Sequence, residues 1–381
     1  MAATNPLQKW FPNTEAPLII SAPMLGFANG TLAAEVSKAG GLGMVPGGYD
    51  FAPGSDQMSK LDAELGTARA ALGLGANDGP APVGVGFILT RAAAGAEKDF
   101  ANAVAAVVAR RQPAAVWLFA PPPPDDNDDD AAEGAVGQAS LIKAVRRAAA
   151  AASKAAYDVC VFVQVGTVAA ARRAAREGAD VIVAQGVDAG GHQFAVGSGV
   201  VGLVPEVRDM LDAEFAGRRI GLVAAGGIAD GRGVAAALAL GADGAVLGTR
   251  FLVSNEASTP EWQRKLYLET KDGGLTTNKS DFHDQVRGTT DIWPAFYDGR
   301  AIISQSYRDH LAGVPGEEVI SRYDAAGATG DKSRMVSWAG SAIGLVNEAL
   351  PAGEIVVKVR GQARSRLRAL QPLAWRAIAK Y

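Results

Sequence analysis

Between residues 17 and 249 the chain repeats one pattern: a short run of β-type apolar residues, then an alanine-rich stretch with helical spacing. Each pair takes about 25 to 35 residues, the length of one strand-and-helix unit of a parallel sheet. Eight strands are expected, at 18–23, 43–46, 83–89, 115–119, 159–165, 181–184, 220–224 and 245–247. Helices are expected between them, at 33–39, 58–72, 100–111, 141–156, 168–177, 205–215 and 233–240. In the fourth of these, Leu141, Val145, Ala148 and Ala152 are spaced as one face of a helix. Eight units of this size favour closure into an α/β TIM (β/α)8 barrel over an open doubly wound sheet.

Past Thr249 the alternation stops. Helices are expected at 261–269, 297–311, 338–350 and 354–370, the last with Val356, Val359, Ala363, Leu367 and Leu370 on one face. The expected division is a barrel over residues 1–254 and a mainly helical extension over 255–381, with the final helix returning to the barrel wall. Residues 121–133, four prolines followed by an acidic cluster, suit a solvated surface loop.

A hydrophobic share of 48% with 20% charged residues belongs to a globular protein, and a net charge of −3 offers no basic field for nucleic acid or anionic lipid. No apolar run approaches the roughly 20 residues that span a bilayer. Residues 1–14 carry no secretory pattern, and the single cysteine, Cys160, suits a reducing compartment. A cytoplasmic protein, monomeric or homodimeric, is the expectation.

The chemistry concentrates in residues 180–192. The run Val181 to Ala184 reads as a strand buried on both faces. Gln185 stands at its end, Gly190 and Gly191 permit close approach to backbone, and His192 is the sole histidine before His283. A histidine just past a buried parallel strand sits where barrels keep their active sites. Strand seven runs into Gly226 and Gly227, strand eight into Gly248 and Thr249. Glycines in neighbouring strand ends let backbone N–H groups converge on a phosphate.

Six motifs in order carry a resemblance: Ala22-Pro23-Met24-Leu25-Gly26, Gly40-Gly41-Leu42-Gly43, Gln164-Val165-Gly166-Thr167, the segment from Gln185 to His192, Ala224-Ala225-Gly226-Gly227-Ile228-Ala229-Asp230-Gly231-Arg232-Gly233, and Gly248-Thr249-Arg250-Phe251. Together they resemble the nitronate monooxygenases, once called 2-nitropropane dioxygenases, over residues 18–252, with Trp338-Ala339-Gly340 extending the likeness. The resemblance implies an FMN-dependent barrel that oxidises alkyl nitronates with O2, releasing nitrite and a carbonyl compound. It implies flavin contacts from Ala22, Pro23, Met24, Gln185, Gly190 and Gly191, and a phosphate held by Gly226, Gly227, Gly248 and Thr249. His192 matches the family's catalytic histidine, as base toward neutral nitroalkanes or as ligand of the nitro group. Gly86 stands where many members have asparagine, so a flavin contact there falls to backbone or water. Residues 193–202 also depart from the common short form.

Other readings remain at this point. An NADH-dependent flavin reductase of quinone or enoyl type uses the same barrel, and a non-catalytic flavin-binding protein would keep the same glycines. A Schiff-base aldolase lacks its strand-end lysine. His192, His283 and His310 are too scattered for a metal motif, and no metal is expected. Cys160, inside the fifth strand, reads as a small core residue and not as a loop nucleophile.

Overall fold

The computed structural model describes residues 7–75, 78–90, 97–120, 138–152 and 158–378. The proline- and aspartate-rich segment 121–133 lies outside the described residues.

Eleven strands are present among these: β1 Leu18–Ser21, β2 Gly43–Gly48, β3 Ala81–Ile88, β4 Pro113–Phe119, β5 Cys160–Val165, β6 Val181–Gln185, β7 Gly191–Phe194, β8 Gly221–Ala225, β9 Gly244–Leu247, β10 Thr277–Ser280 and β11 Tyr297–Ile302. Eight of them form one parallel sheet in the order β1-β9-β8-β6-β5-β4-β3-β2. A parallel bridge between Ile20 and Leu42 joins the two ends, with the Leu42 N–H donating to the Ile19 carbonyl at 2.9 Å. The sheet is therefore a closed TIM barrel, as expected.

Alternation along each strand explains why its apolar runs are continuous. Ile20, Met44, Trp117, Phe162, Val183 and Val246 fill the barrel interior. Ile19, Val45, Val116, Val163, Ile182 and Leu247 face the surrounding helices. Both faces are packed with apolar side chains, and the polar strand residues Ser21, Gln164 and Gln185 stand at or next to the C-terminal ends of their strands. Leu7 and Phe11 close the lower end, Phe11 at 5.9 Å from the Phe162 ring. Cys160 is fully buried in this interior, a core residue as its sequence position suggested.

The wall is completed by the helix Ala352–Ile378, which packs beside the helices Gly231–Ala239 and Gly30–Lys38. Gln362 Oε1 accepts from the Gly231 N–H at 3.1 Å, and the Arg360 guanidinium donates to the carbonyls of Ala39 (2.8 Å) and Gly40 (2.6 Å). Its buried stripe is Ile355, Val356, Val359 and Ala363. Leu370, expected on that stripe, is 41% exposed because the helix has by then run past its neighbours.

Three local expectations need correction. Residues 297–302 form strand β11 and not the start of a helix; the helix is Gln305–Leu311. Its burial alternates, with Tyr297, Gly299 and Ala301 inward, and Gly299 is required because an added Cβ would stand 2.4 Å from the Trp338 ring. Residues 338–350 hold only the 3-10 turn Ser341–Leu345. The third concerns the helix expected to begin at Pro205, which begins at Val200; proline favours a helix start, and here it sits within the second turn instead. Together β7, β11 and β10 build a small antiparallel sheet over the barrel mouth, with β11 central. The sequence announced neither this sheet nor the mostly irregular path of residues 338–350 beside it.

Candidate active site

A cavity of about 390 Å³ opens at the C-terminal ends of the barrel strands, within the range of small-molecule sites. Every residue named in the sequence as a flavin, phosphate or catalytic candidate borders it. Ala22, Pro23 and Met24 come from the turn after β1, Gly86 from β3, and Gln185 from the end of β6. Gly190 comes from the β6–β7 turn, Gly191 and His192 from the start of β7, Gly226 and Gly227 from just past β8, and Gly248 and Thr249 from just past β9.

At one end the lining is backbone. Gly226 and Gly227 have φ of +94° and +71°, a region costly for residues with a Cβ. A Cβ on Gly226 would lie 2.6 Å from the Gly186 carbonyl oxygen. Among the described residues, no backbone acceptor takes the N–H of Gly226, Gly227 or Gly248. A Cβ on Gly248 would meet only Ala22 at 3.6 Å and Met24 at 3.8 Å, so it would project into open cavity. Unspent donors around a space that a side chain would fill suit an anion.

Two other glycines have packing reasons. A Cβ on Gly86 would collide with the Pro23 ring at 2.5 Å, so its absence lets the β1 turn lie across β3. On Gly190 it would stand 2.4 Å from the Gly340 nitrogen. That close contact fastens residues 338–341 to the barrel: the Gly340 N–H donates to Thr249 Oγ1 at 3.0 Å, and Ser341 Oγ donates to Asp188 Oδ1 at 2.8 Å.

Across the middle runs a chain of hydrogen bonds. Trp117 Nε1 donates to Gln164 Oε1 (3.0 Å), Gln164 Nε2 to Gln185 Oε1 (2.7 Å), and Gln185 Nε2 to the His192 carbonyl (3.3 Å). The indole can only donate, so it fixes the orientation of both amides in turn.

The opposite end is built from side chains. His192 sits on β7, opposite Gly299 of β11, with 11% of its side chain exposed. Its Nε2 is 2.9 Å from both oxygens of Asp284, on the helix Phe282–Arg287. Its ring stacks on Trp293 at 3.6 Å and 8°, with Trp338 tilted at 4.7 Å on another side. Thr289 Oγ1 donates to Asp284 Oδ1 at 2.8 Å, and Arg287 Nη1 lies 3.8 Å from the same oxygen while its guanidinium covers Trp338 at 5.3 Å. Burial pushes the His192 pKa below its ordinary value of 6.5, against the upward pull of Asp284. Arg287 is the one permanently charged residue among the described lining residues.

Sequence reasoning missed Trp117, Gln164, Asp284, Arg287, Thr289 and Trp293. Gln164 lay inside a quoted motif, a signal that could have been followed. Asp284 stands 92 residues from His192, and no spacing rule links them.

Comparison with known proteins agrees with this geometry. The model of the nitronate monooxygenase family matches residues 11–360. A nitronate monooxygenase of Neurospora crassa is 53% identical over 98% of this chain and 96% of its own length. The nitronate monooxygenase npaC of Metarhizium robertsii is 38% identical over 95% of each chain. Among solved structures, a nitroalkane oxidase from Streptomyces ansochromogenes superposes with a TM-score of 0.66 at 25% identity, covering 95% of this chain and 99% of that one. By the extent of these matches, the chain belongs to the nitronate monooxygenase family.

Proposed function

We propose that the cavity binds FMN and that the protein oxidises alkyl nitronates with O2, breaking the C–N bond to release nitrite and leave a carbonyl compound. One observation carries this reading: a backbone cradle with unspent N–H donors and a buried histidine held from behind by Asp284 face the same cavity. Bound FMN would supply the electron acceptor that no amino-acid side chain offers.

The chain's own residues do the rest. Gly226, Gly227, Gly248 and Thr249 hold the phosphate. Ala22, Pro23 and Met24 line the ring system, with Gly86, Gly190 and Gly191 beside it and Gln185 presenting an amide fixed by Gln164. Arg287 favours an anionic substrate, and a nitronate is an anion. His192 binds the nitro group or takes a proton from the carbon beside it when the substrate arrives as a neutral nitroalkane. In this reading residues 1–254 are the cofactor barrel and 255–381 the substrate-side extension, whose last helix, Ala352–Ile378, returns to the barrel wall. No helix among the described residues is long and apolar enough to cross a membrane. The buried lone cysteine supports a cytoplasmic site of action.

The test is direct. Purified protein should be yellow and release FMN on denaturation. Mixed anaerobically with ethyl nitronate it should bleach within turnover time, and with NADH it should not. Bleaching by NADH alone would make the protein a flavin reductase, and colourless protein that cannot be reconstituted would remove the flavin reading.

A further inference from the structure

The proposed reaction leaves Asp284 without a part, yet it is 2% exposed and touches the one histidine among the described lining residues through both carboxylate oxygens. A carboxylate so buried is costly unless its hydrogen-bonding capacity is used. Here it accepts from His192 and Thr289 and has Arg287 nearby. A carboxylate can only accept, so the hydrogen of neutral His192 lies on Nε2. Nδ1 is then the nitrogen with the lone pair, and no hydrogen bond engages it among the described residues. A ring flip would break the Asp284 contact, with Trp293 against one face and Trp338 beside it.

We propose that Asp284 is a positioning residue that fixes His192 as an Nδ1 base and stabilises the imidazolium formed when it acts. This rests on the reading of His192 as the base. In that step the C–H bond beside the nitro group breaks, the proton passes to Nδ1, and the electron pair moves into the carbon–nitrogen bond to give the nitronate. No electron leaves the substrate. Asp284 keeps its charge throughout, as the aspartate of a serine-protease triad does.

The other groups facing His192 do not replace it. Asp298 of β11 also favours the imidazolium but is paired with Lys279 of β10 at 2.7 Å. Arg287 opposes it, and His283, whose own pKa burial lowers, donates from Nε2 to the Asn278 carbonyl at 3.1 Å. Removing the Asp284 charge should therefore lower the His192 pKa further.

The chain has three histidines, so nitrogen-15 NMR of the histidine-labelled holoenzyme can resolve His192, assigned by its loss in His192→Asn. Wild type should show the Nε2–H form above its pKa; the Nδ1–H form would overturn the proposal without any variant. In Asp284→Asn, kcat/KM for nitroethane should fall about 10- to 100-fold, the usual cost of losing such a partner, while ethyl nitronate is affected less. The acidic limb of the nitroethane pH profile should move to lower pH. Thr289→Val removes a donor from Asp284 and leaves its charge more available to His192, so it should move the limb slightly to higher pH, which serves if Asp284→Asn folds poorly. Equal losses on both substrates with an unmoved limb would reduce Asp284 to a structural role. Wild-type nitroethane turnover in His192→Asn would sink the base reading itself, whereas an inactive His192→Asn beside a wild-type-like Asp284→Asn would sink only the present proposal.

Discussion

At the glycine end of the cavity every contributing residue lies within a few positions of a barrel strand, whereas at the histidine end the partners come from segments about a hundred residues apart. The first end is backbone on a rigid scaffold. The second is an assembly of side chains held by a small sheet, an aromatic stack and a buried aspartate. The difference predicts two kinds of failure: the cradle is broken by adding atoms, the base by removing them.

The largest effect should follow at the cradle. Gly248→Val places its Cβ in open space beside Ala22 and Met24, so the barrel should keep its native circular dichroism while FMN, and with it all turnover, is lost. Tight FMN retention would move the phosphate elsewhere and leave the two ends without their contrast. Next comes His192→Asn, which should keep FMN but lose about 10²- to 10⁴-fold on nitroethane. Ethyl nitronate, already deprotonated, should suffer less; if both rates fall together, His192 holds the nitro group instead.

The smallest effect is on stability. Burial lowers the pKa of both His192 and His283 below 6.5, so the unfolded chain binds more protons than the folded one between the lowered values and 6.5. Stability from these groups is thus complete above pH 6.5 and declines as pH falls toward their folded values. Urea midpoints measured across this window should show the slope, and His192→Asn should flatten it while Gly248→Val leaves it unchanged. An identical slope in all three proteins would assign the pH dependence to other groups.

The same contrast explains what could be read beforehand. Strands such as β6 announce themselves by four consecutive apolar residues, and Gly226-Gly227 by two glycines at a strand end, because both are local consequences of local requirements. Asp284 carries no such mark: it follows His283 in a short helix, and only the pairing of β7 with β11 brings it to His192. Likewise Tyr297 to Ile302 resembles no strong strand, since its stability comes from flanking strands and from Trp338 packed on Gly299. Gly190 was read as making room for a ligand. The structure gives it a further reason, the passage of a distant backbone.

The helix Ala352–Ile378 has a consequence for how the molecule comes into being. Its Arg360 donates to carbonyls 320 and 321 positions earlier in the chain, so the wall of the barrel is sealed by contacts that join its first tenth to its last. Pairings of such long range are slow to form. During synthesis seven outer helices must wait, with one flank open, until the hundred-residue excursion over the mouth has emerged and the eighth can dock. The excursion is thereby tethered at both ends, so its length and contents can vary between relatives without disturbing the closure of the barrel beneath it.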